Sequence, residues 1–94
     1  MMSKKIKRHI YISGRVQGIG FRANARDKAQ ILGVKGWIRN LHDGRVEAVV
    51  EGEQSSVNQM INYLKRGPSF ARVDNYEIKK ESPKDNFNSF SIRY

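Results

Sequence analysis

Gly14, Gly18 and Gly20 crowd a short stretch that runs directly into Phe21 and Arg22. Glycines at such a junction let backbone N–H groups converge on a guest with no side chain in the way. If a helix begins at Phe21, its unpaired N–H groups and the positive end of its dipole face the same place. Arg22 then opposes that dipole by about 0.3–1 kcal/mol unless an anion sits between them. A guanidinium also forks onto two phosphate oxygens with a geometry that lysine lacks. The stretch fits neither nucleotide motif, because a dinucleotide fingerprint needs glycines at i, i+2 and i+5 and a Walker A loop needs Gly-Lys-Ser/Thr. Val16 to Arg22 has the spacing of the Cys-x5-Arg cradle of cysteine phosphatases, with Val16 where the thiol would stand. A phosphate held there would be attacked by water and not by the chain. The candidate contacts are the backbone amides of Arg15, Val16, Gln17, Gly18, Ile19, Gly20 and Phe21, with the Arg22 side chain. The same glycines equally suit a tight turn beside a solvated arginine, and loop composition alone leaves both readings open.

Asn40 is the second candidate. It precedes the turn residues Asp43-Gly44, where an Asn side chain commonly caps. Alternatively its carboxamide accepts from a water and holds it in line with a phosphorus gripped by Arg22. His9 and His42 are the neutral-pH bases available. They have no carboxylate at i+3 or i+4 in a ligand pattern, and cysteine is absent, so no metal site is expected. Asp43 and Glu47 read as a hairpin-turn residue and a solvent-facing strand residue. Tyr11 and Trp37 read as core or sheet-face residues.

The elements that must position these groups follow from periodicity. Ile6 to Ser13 alternates as a strand ending at Gly14. Phe21, Ala25, Ala29 and Leu32 recur at helical spacing, with Gly33 as a C-cap. Gly36 to Leu41 and Arg45 to Glu51 form a hairpin around His42-Asp43-Gly44, with Val46, Ala48 and Val50 on one face. Ser56 and Gln59 have capping-box spacing ahead of the stripe Val57, Met60, Ile61 and Leu64, and Gly67-Pro68 ends that helix. Arg72 to Glu81 reads as a strand with a bulge near Asn75 that accounts for Val73 falling out of phase. Phe90, Ile92 and Tyr94 alternate as a short last strand whose terminal aromatic docks on the core. The order βαββαβ with a short fifth strand predicts an α+β sandwich, an antiparallel sheet covered on one face by two helices.

At 94 residues the chain is expected to form one domain over 1–94, with 1–5 as a flexible extension. The basic start is followed by alternation and not by a continuous apolar stretch, and nothing approaches a membrane span, so a cytoplasmic location is expected. The formal charge of +9 draws anions to the surface and suits phosphorylated metabolites and nucleic acids alike.

At these residues the chain resembles the acylphosphatase family. Gly14-Arg15-Val16-Gln17-Gly18-Ile19-Gly20-Phe21-Arg22 is similar to the family's phosphate loop, with Ile19 where Val is more usual. Gly36-Trp37-Ile38-Arg39-Asn40-Leu41-His42-Asp43-Gly44-Arg45-Val46-Glu47 is similar to its second motif, and Gly67-Pro68, Ala71-Arg72-Val73 and Phe90 to Arg93 match as well. The resemblance implies a ferredoxin-like fold and a hydrolase of acid anhydrides that cleaves carboxyl–phosphate bonds. It implies that Arg22 binds the phosphoryl group, Asn40 positions water, and no metal or other cofactor takes part. Small-molecule acyl phosphates are the implied partners, with inorganic phosphate or sulfate as product or mimic.

Two rivals remain in the sequence. A basic βαββαβ sheet could bind single-stranded RNA, but the third element reads Arg45-Val46-Glu47-Ala48-Val49-Val50 in place of the aromatic RNP1 pattern. Neither specific nucleic-acid binding nor a membrane partner is therefore expected, and an exposed edge strand with high charge makes a monomer the default. A non-catalytic sensor of a phosphorylated ligand would use the same loop, and Asn40 separates it from an enzyme.

Overall fold

β1 (Lys5–Arg15) turns Ile6, Ile10 and Ile12 to one face, where all three are buried. In the computed structural model, which describes residues 4–94, the strand continues past Gly14, where the sequence predicted it to stop. Its register against β4 (Arg72–Glu81) jumps from Ser13↔Asn75 to Gly14↔Val73, leaving Asp74 unmatched. This is the bulge expected near Asn75, and it returns Val73 to the side of the sheet that Tyr76 and Ile78 occupy. A Cβ on Gly14 would run into the Arg72 carbonyl, so only glycine permits this approach and β1 passes through it to reach Arg15. Of the extension expected over 1–5, residues 1–3 lie outside the described residues, and Lys5 already opens β1.

α1 (Phe21–Leu32) packs Phe21, Ala25 and Ala29 inward and ends at Gly33 in the left-handed conformation, as its spacing predicts. β2 (Lys35–Asn40) and β3 (Val46–Glu53) form the antiparallel hairpin. α2 (Gln54–Arg66) buries Val57, Met60, Ile61 and Leu64. Its start corrects the capping-box expectation: the helix begins at Gln54, its N-cap Glu53 makes no side-chain cap hydrogen bond, and the Gln54 N–H donates to the Lys4 carbonyl at 2.9 Å. A carbonyl at the head of β1 thus satisfies the first of the N–H groups that the helix start leaves without an intrahelical partner.

The sheet order is β4-β1-β3-β2-β5, with β5 (Phe90–Arg93) at the edge. The four long strands are antiparallel as expected, but β5 runs parallel to β2, in register Gly36↔Phe90 to Arg39↔Arg93. The sheet is therefore mixed. Both helices cover one face, and the core joins Ile10, Ile12, Ile38, Ala48 and Val50 to Phe21, Ala25, Val57, Met60 and Leu64. Among the described residues no helix is long and apolar enough to cross a membrane.

The opposite face corrects a second expectation. Glu47 is not solvent-facing but 4% exposed, with Arg39 Nε at 2.6 Å from Oε1 and His9 Nε2 at 2.6 Å from Oε2. Burial pushes its carboxyl up, and hydrogen bonds from Arg39, His9 and Tyr11 outweigh that and hold it below the usual carboxylate range. His9 Nδ1 lies 2.9 Å from Glu81, whose carboxyl that contact holds low as well. Both carboxylates are more acidic folded than unfolded. Their stabilisation is complete above the ordinary glutamate value of about 4.3 and is lost as pH falls through the lower folded values. Urea denaturation should accordingly show stability falling as pH drops below the ordinary glutamate value, and Glu47→Gln should flatten that fall while costing about 1–3 kcal/mol at neutral pH. A wild-type slope retained in Glu47→Gln would remove Glu47 from the account.

Candidate active site

The loop between β1 and α1 is shaped by Gly18 and Gly20, whose φ angles of 75° and 78° lie in the left-handed region that side-chain-bearing residues rarely adopt. A Cβ on Gly18 would meet nothing within 4 Å, so backbone conformation and not space requires the glycine. Gly20 is the N-cap of α1, without a side-chain cap and with no acidic residue in the first turn. The Asn24 N–H bonds back to the Gly20 carbonyl at 3.0 Å. The N–H groups of Phe21, Arg22 and Ala23 thus belong to the first turn, where helices leave donors without intrahelical partners.

Arg22, half-buried, sits at this positive end. No carboxylate among the described residues forms an ion pair with it. Its contact is the ring of Tyr94, with the guanidinium carbon 5.1 Å from the ring centroid. A cation at a helix N-terminus without a counter-charge is unfavourable by itself, and an incoming anion removes the conflict.

Asn40 ends β2 at the rim of the same cleft. Its turn-capping alternative fails in the structure. Asp43 caps instead, accepting from the Arg45 N–H at 3.1 Å and from Arg45 Nε at 2.9 Å, and the Arg45 backbone bond comes first among the influences that hold the Asp43 carboxyl low. Asn40 Oδ1 is buried with no hydrogen-bond partner, alone in this among side-chain polar atoms of the described residues. Such an acceptor costs about 1–3 kcal/mol and calls for an explanation.

Val16, Gly18, Gly20, Phe21, Arg22, Ala23, Asn40, Ile92 and Tyr94 line a cleft of about 140 Å³. The structure therefore brings Arg22 and Asn40 together with Val16, Gly18, Gly20 and Phe21. Arg15, Gln17 and Ile19 do not line the cleft. Arg15 is exposed at the end of β1 and Ile19 packs against the core. Gln17 turns its side chain away, and its Nε2 donates to the carbonyls of Leu41 and Arg45, both at 2.8 Å. One amide thereby ties the glycine loop to the hairpin that carries Asn40. Its type and position were visible in the sequence, but not where its side chain reaches.

Ile92, Ala23 and Tyr94 were not among the site residues anticipated. Tyr94 does not dock on the core: it is 98% exposed at the mouth of the cleft, while Phe90 takes the buried position. The alternation of Phe90, Ile92 and Tyr94 was the available signal for its face, but not for its neighbours. Neither histidine lines the cleft. His9 lies between Glu47 and Glu81, and His42 is exposed in the hairpin turn. Among the described residues no group of three or more His, Asp or Glu side chains is placed to hold a metal ion.

Comparison with known proteins identifies the family and the fold. The family profile for acylphosphatases matches residues 8–92. The acylphosphatase of Roseiflexus sp. (strain RS-1) is 50% identical over 97% of this chain and 98% of its own, and that of Anaeromyxobacter dehalogenans (strain 2CP-C) is 46% identical over 99% and 100%. The crystal structure of acylphosphatase from Bacillus subtilis superposes with a TM-score of 0.89 at 31% identity, covering 95% of this chain and 99% of that one. With the glycine loop, the helix-terminal arginine and the strand-end asparagine gathered on one ferredoxin-like frame, and with these matches across nearly its whole length, the chain belongs to the acylphosphatase family.

Proposed function

We propose that the cleft hydrolyses the carboxyl–phosphate bond of small acyl phosphates, releasing a carboxylate and inorganic phosphate by attack of water without a metal ion. The loop amides and first-turn N–H groups meet the equatorial phosphoryl oxygens, Arg22 forks onto two of them, and Asn40 Oδ1 accepts from the attacking water and holds it in line. The observation that carries this reading is that Asn40, whose Oδ1 has no hydrogen-bond partner within the protein, lines the same cleft as Arg22 and the loop glycines. A purely binding site for a phosphorylated ligand has no use for such an acceptor, because phosphate oxygens are acceptors too.

An acyl phosphate has a good leaving group, so its loose transition state needs charge stabilisation and alignment more than a strong base. The water's proton passes to the phosphate or to solvent, and the absence of both histidines from the cleft lining fits that assignment. In the same reading Arg15, Gln17 and Ile19 contribute through backbone amides, and the Gln17 side chain holds the loop in register with Asn40. The enzyme acts as a cytoplasmic monomer with no specific nucleic-acid partner. Hydrolysis of acetyl or benzoyl phosphate in excess EDTA is the direct test, with full retention of rate expected. Loss of turnover in the chelator, restored by a divalent cation, would sink the metal-free mechanism.

A further inference from the structure

We propose that Tyr94, with Ile92 behind it, forms the subsite for the acyl portion of the substrate and favours aryl over small aliphatic acyl groups. The subsite rests on the phosphate grip proposed above: with the phosphoryl group at Arg22, the acyl carbon must leave the cleft past its remaining walls. Those walls divide by chemistry, with Gly18, Gly20 and Arg22 facing an anion and Ile92 and Tyr94 offering apolar surface.

Sheet register explains why the aromatic stands there. β5 runs parallel to β2 with Ile38 beside Ile92 and Arg39 beside Arg93. Asn40 and Tyr94 each follow directly on the last of these pairs, Arg39 beside Arg93. Side chains alternate across a strand, so Asn40 returns to the helix-covered face that Ile38 and Ile92 occupy, and Tyr94, just past the end of β5, lines the same cleft. The ring thus shares the cleft with Asn40, and its centroid lies 5.1 Å from the Arg22 guanidinium carbon. A guanidinium lying over a ring keeps its N–H edge available to fork onto phosphate oxygens. At 98% exposure, most of the Tyr94 ring is open at the mouth of the cleft, where an aryl acyl group can pack against it in an offset or edge-on arrangement. An acetyl group is too small to gain the same contact.

Steady-state kinetics on benzoyl phosphate and acetyl phosphate test the subsite in the parent, Tyr94→Ala and Tyr94→Phe. Exposure of Tyr94 makes both variants safe for the fold. The ratio of kcat/KM for benzoyl over acetyl phosphate is expected to fall by about 3- to 10-fold in Tyr94→Ala and to keep the parent value in Tyr94→Phe. An unmoved ratio in Tyr94→Ala overturns the subsite, whether both substrates slow together or neither slows. The phosphate grip is read separately, from competitive inhibition of the parent by inorganic phosphate. Its absence would overturn the grip, and the acyl subsite with it, whereas inhibition combined with an unmoved ratio removes the subsite alone.

Discussion

Arg22→Ala lowers kcat/KM for an acyl phosphate by about 10²–10³-fold, the usual cost of removing one group aimed at developing charge, and it weakens inhibition by inorganic phosphate. Both effects follow from the proposed grip, in which the guanidinium meets the phosphoryl oxygens in the ground state and the transition state alike. They arise from placement as much as from charge. Arg22 lies in the first turn of α1, with no carboxylate paired to it among the described residues and its guanidinium carbon 5.1 Å from the centroid of the Tyr94 ring. Arg22→Lys keeps the charge and loses the fork, so it is expected to fall between the parent and alanine. Phosphate inhibition that survives Arg22→Ala at the parent's constant would show that the loop amides bind phosphate by themselves and that Arg22 has another role.

Asn40→Ala separates alignment from binding. The expected result is a loss in kcat of about 10²-fold, comparable to misplacing a reacting group by about 1 Å, with phosphate inhibition unchanged. Stability should move the other way or not at all. Oδ1 is buried without a partner in the folded protein, so its removal relieves a desolvation cost of about 1–3 kcal/mol against which the lost packing of the amide must be set. A variant that melts at or above the parent's temperature while losing turnover is what a residue kept for chemistry produces. If activity survives in Asn40→Ala, the water is held elsewhere and the unpartnered oxygen needs another account.

Near-parent activity in both variants would leave the family membership standing and displace the proposed roles. A chain that binds phosphate but hydrolyses no acyl phosphate would favour a sensor of phosphorylated ligands over an enzyme.

Much of the frame could be read from local pattern. The bounds of α1 matched from Phe21 to Leu32 because apolar spacing and a C-terminal glycine act within one segment. The stripe of α2 was equally plain, but its start was not, because the partner of the Gln54 N–H is a carbonyl at the head of β1. Glu47 looked solvent-facing by alternation alone. Its burial depends on His9 from β1 and Arg39 from β2, neighbours that exist only once the strands are ordered.

The candidate site divides along the same line. Residue types and spacing by themselves marked out the glycine turn, the arginine at a helix start and the asparagine at a strand end, since each depends on the chemistry of a few consecutive residues. Tertiary structure decided the rest: that Asp43 and not Asn40 caps the hairpin, that Gln17 ties the loop to that hairpin, and that the parallel pairing of β5 with β2 stands Tyr94 at the cleft mouth and not in the core. The physical reason is that a backbone turn and a helix dipole are properties of a segment. A buried unpartnered oxygen, a long-range hydrogen bond and an exposed aromatic are properties of what packs beside it.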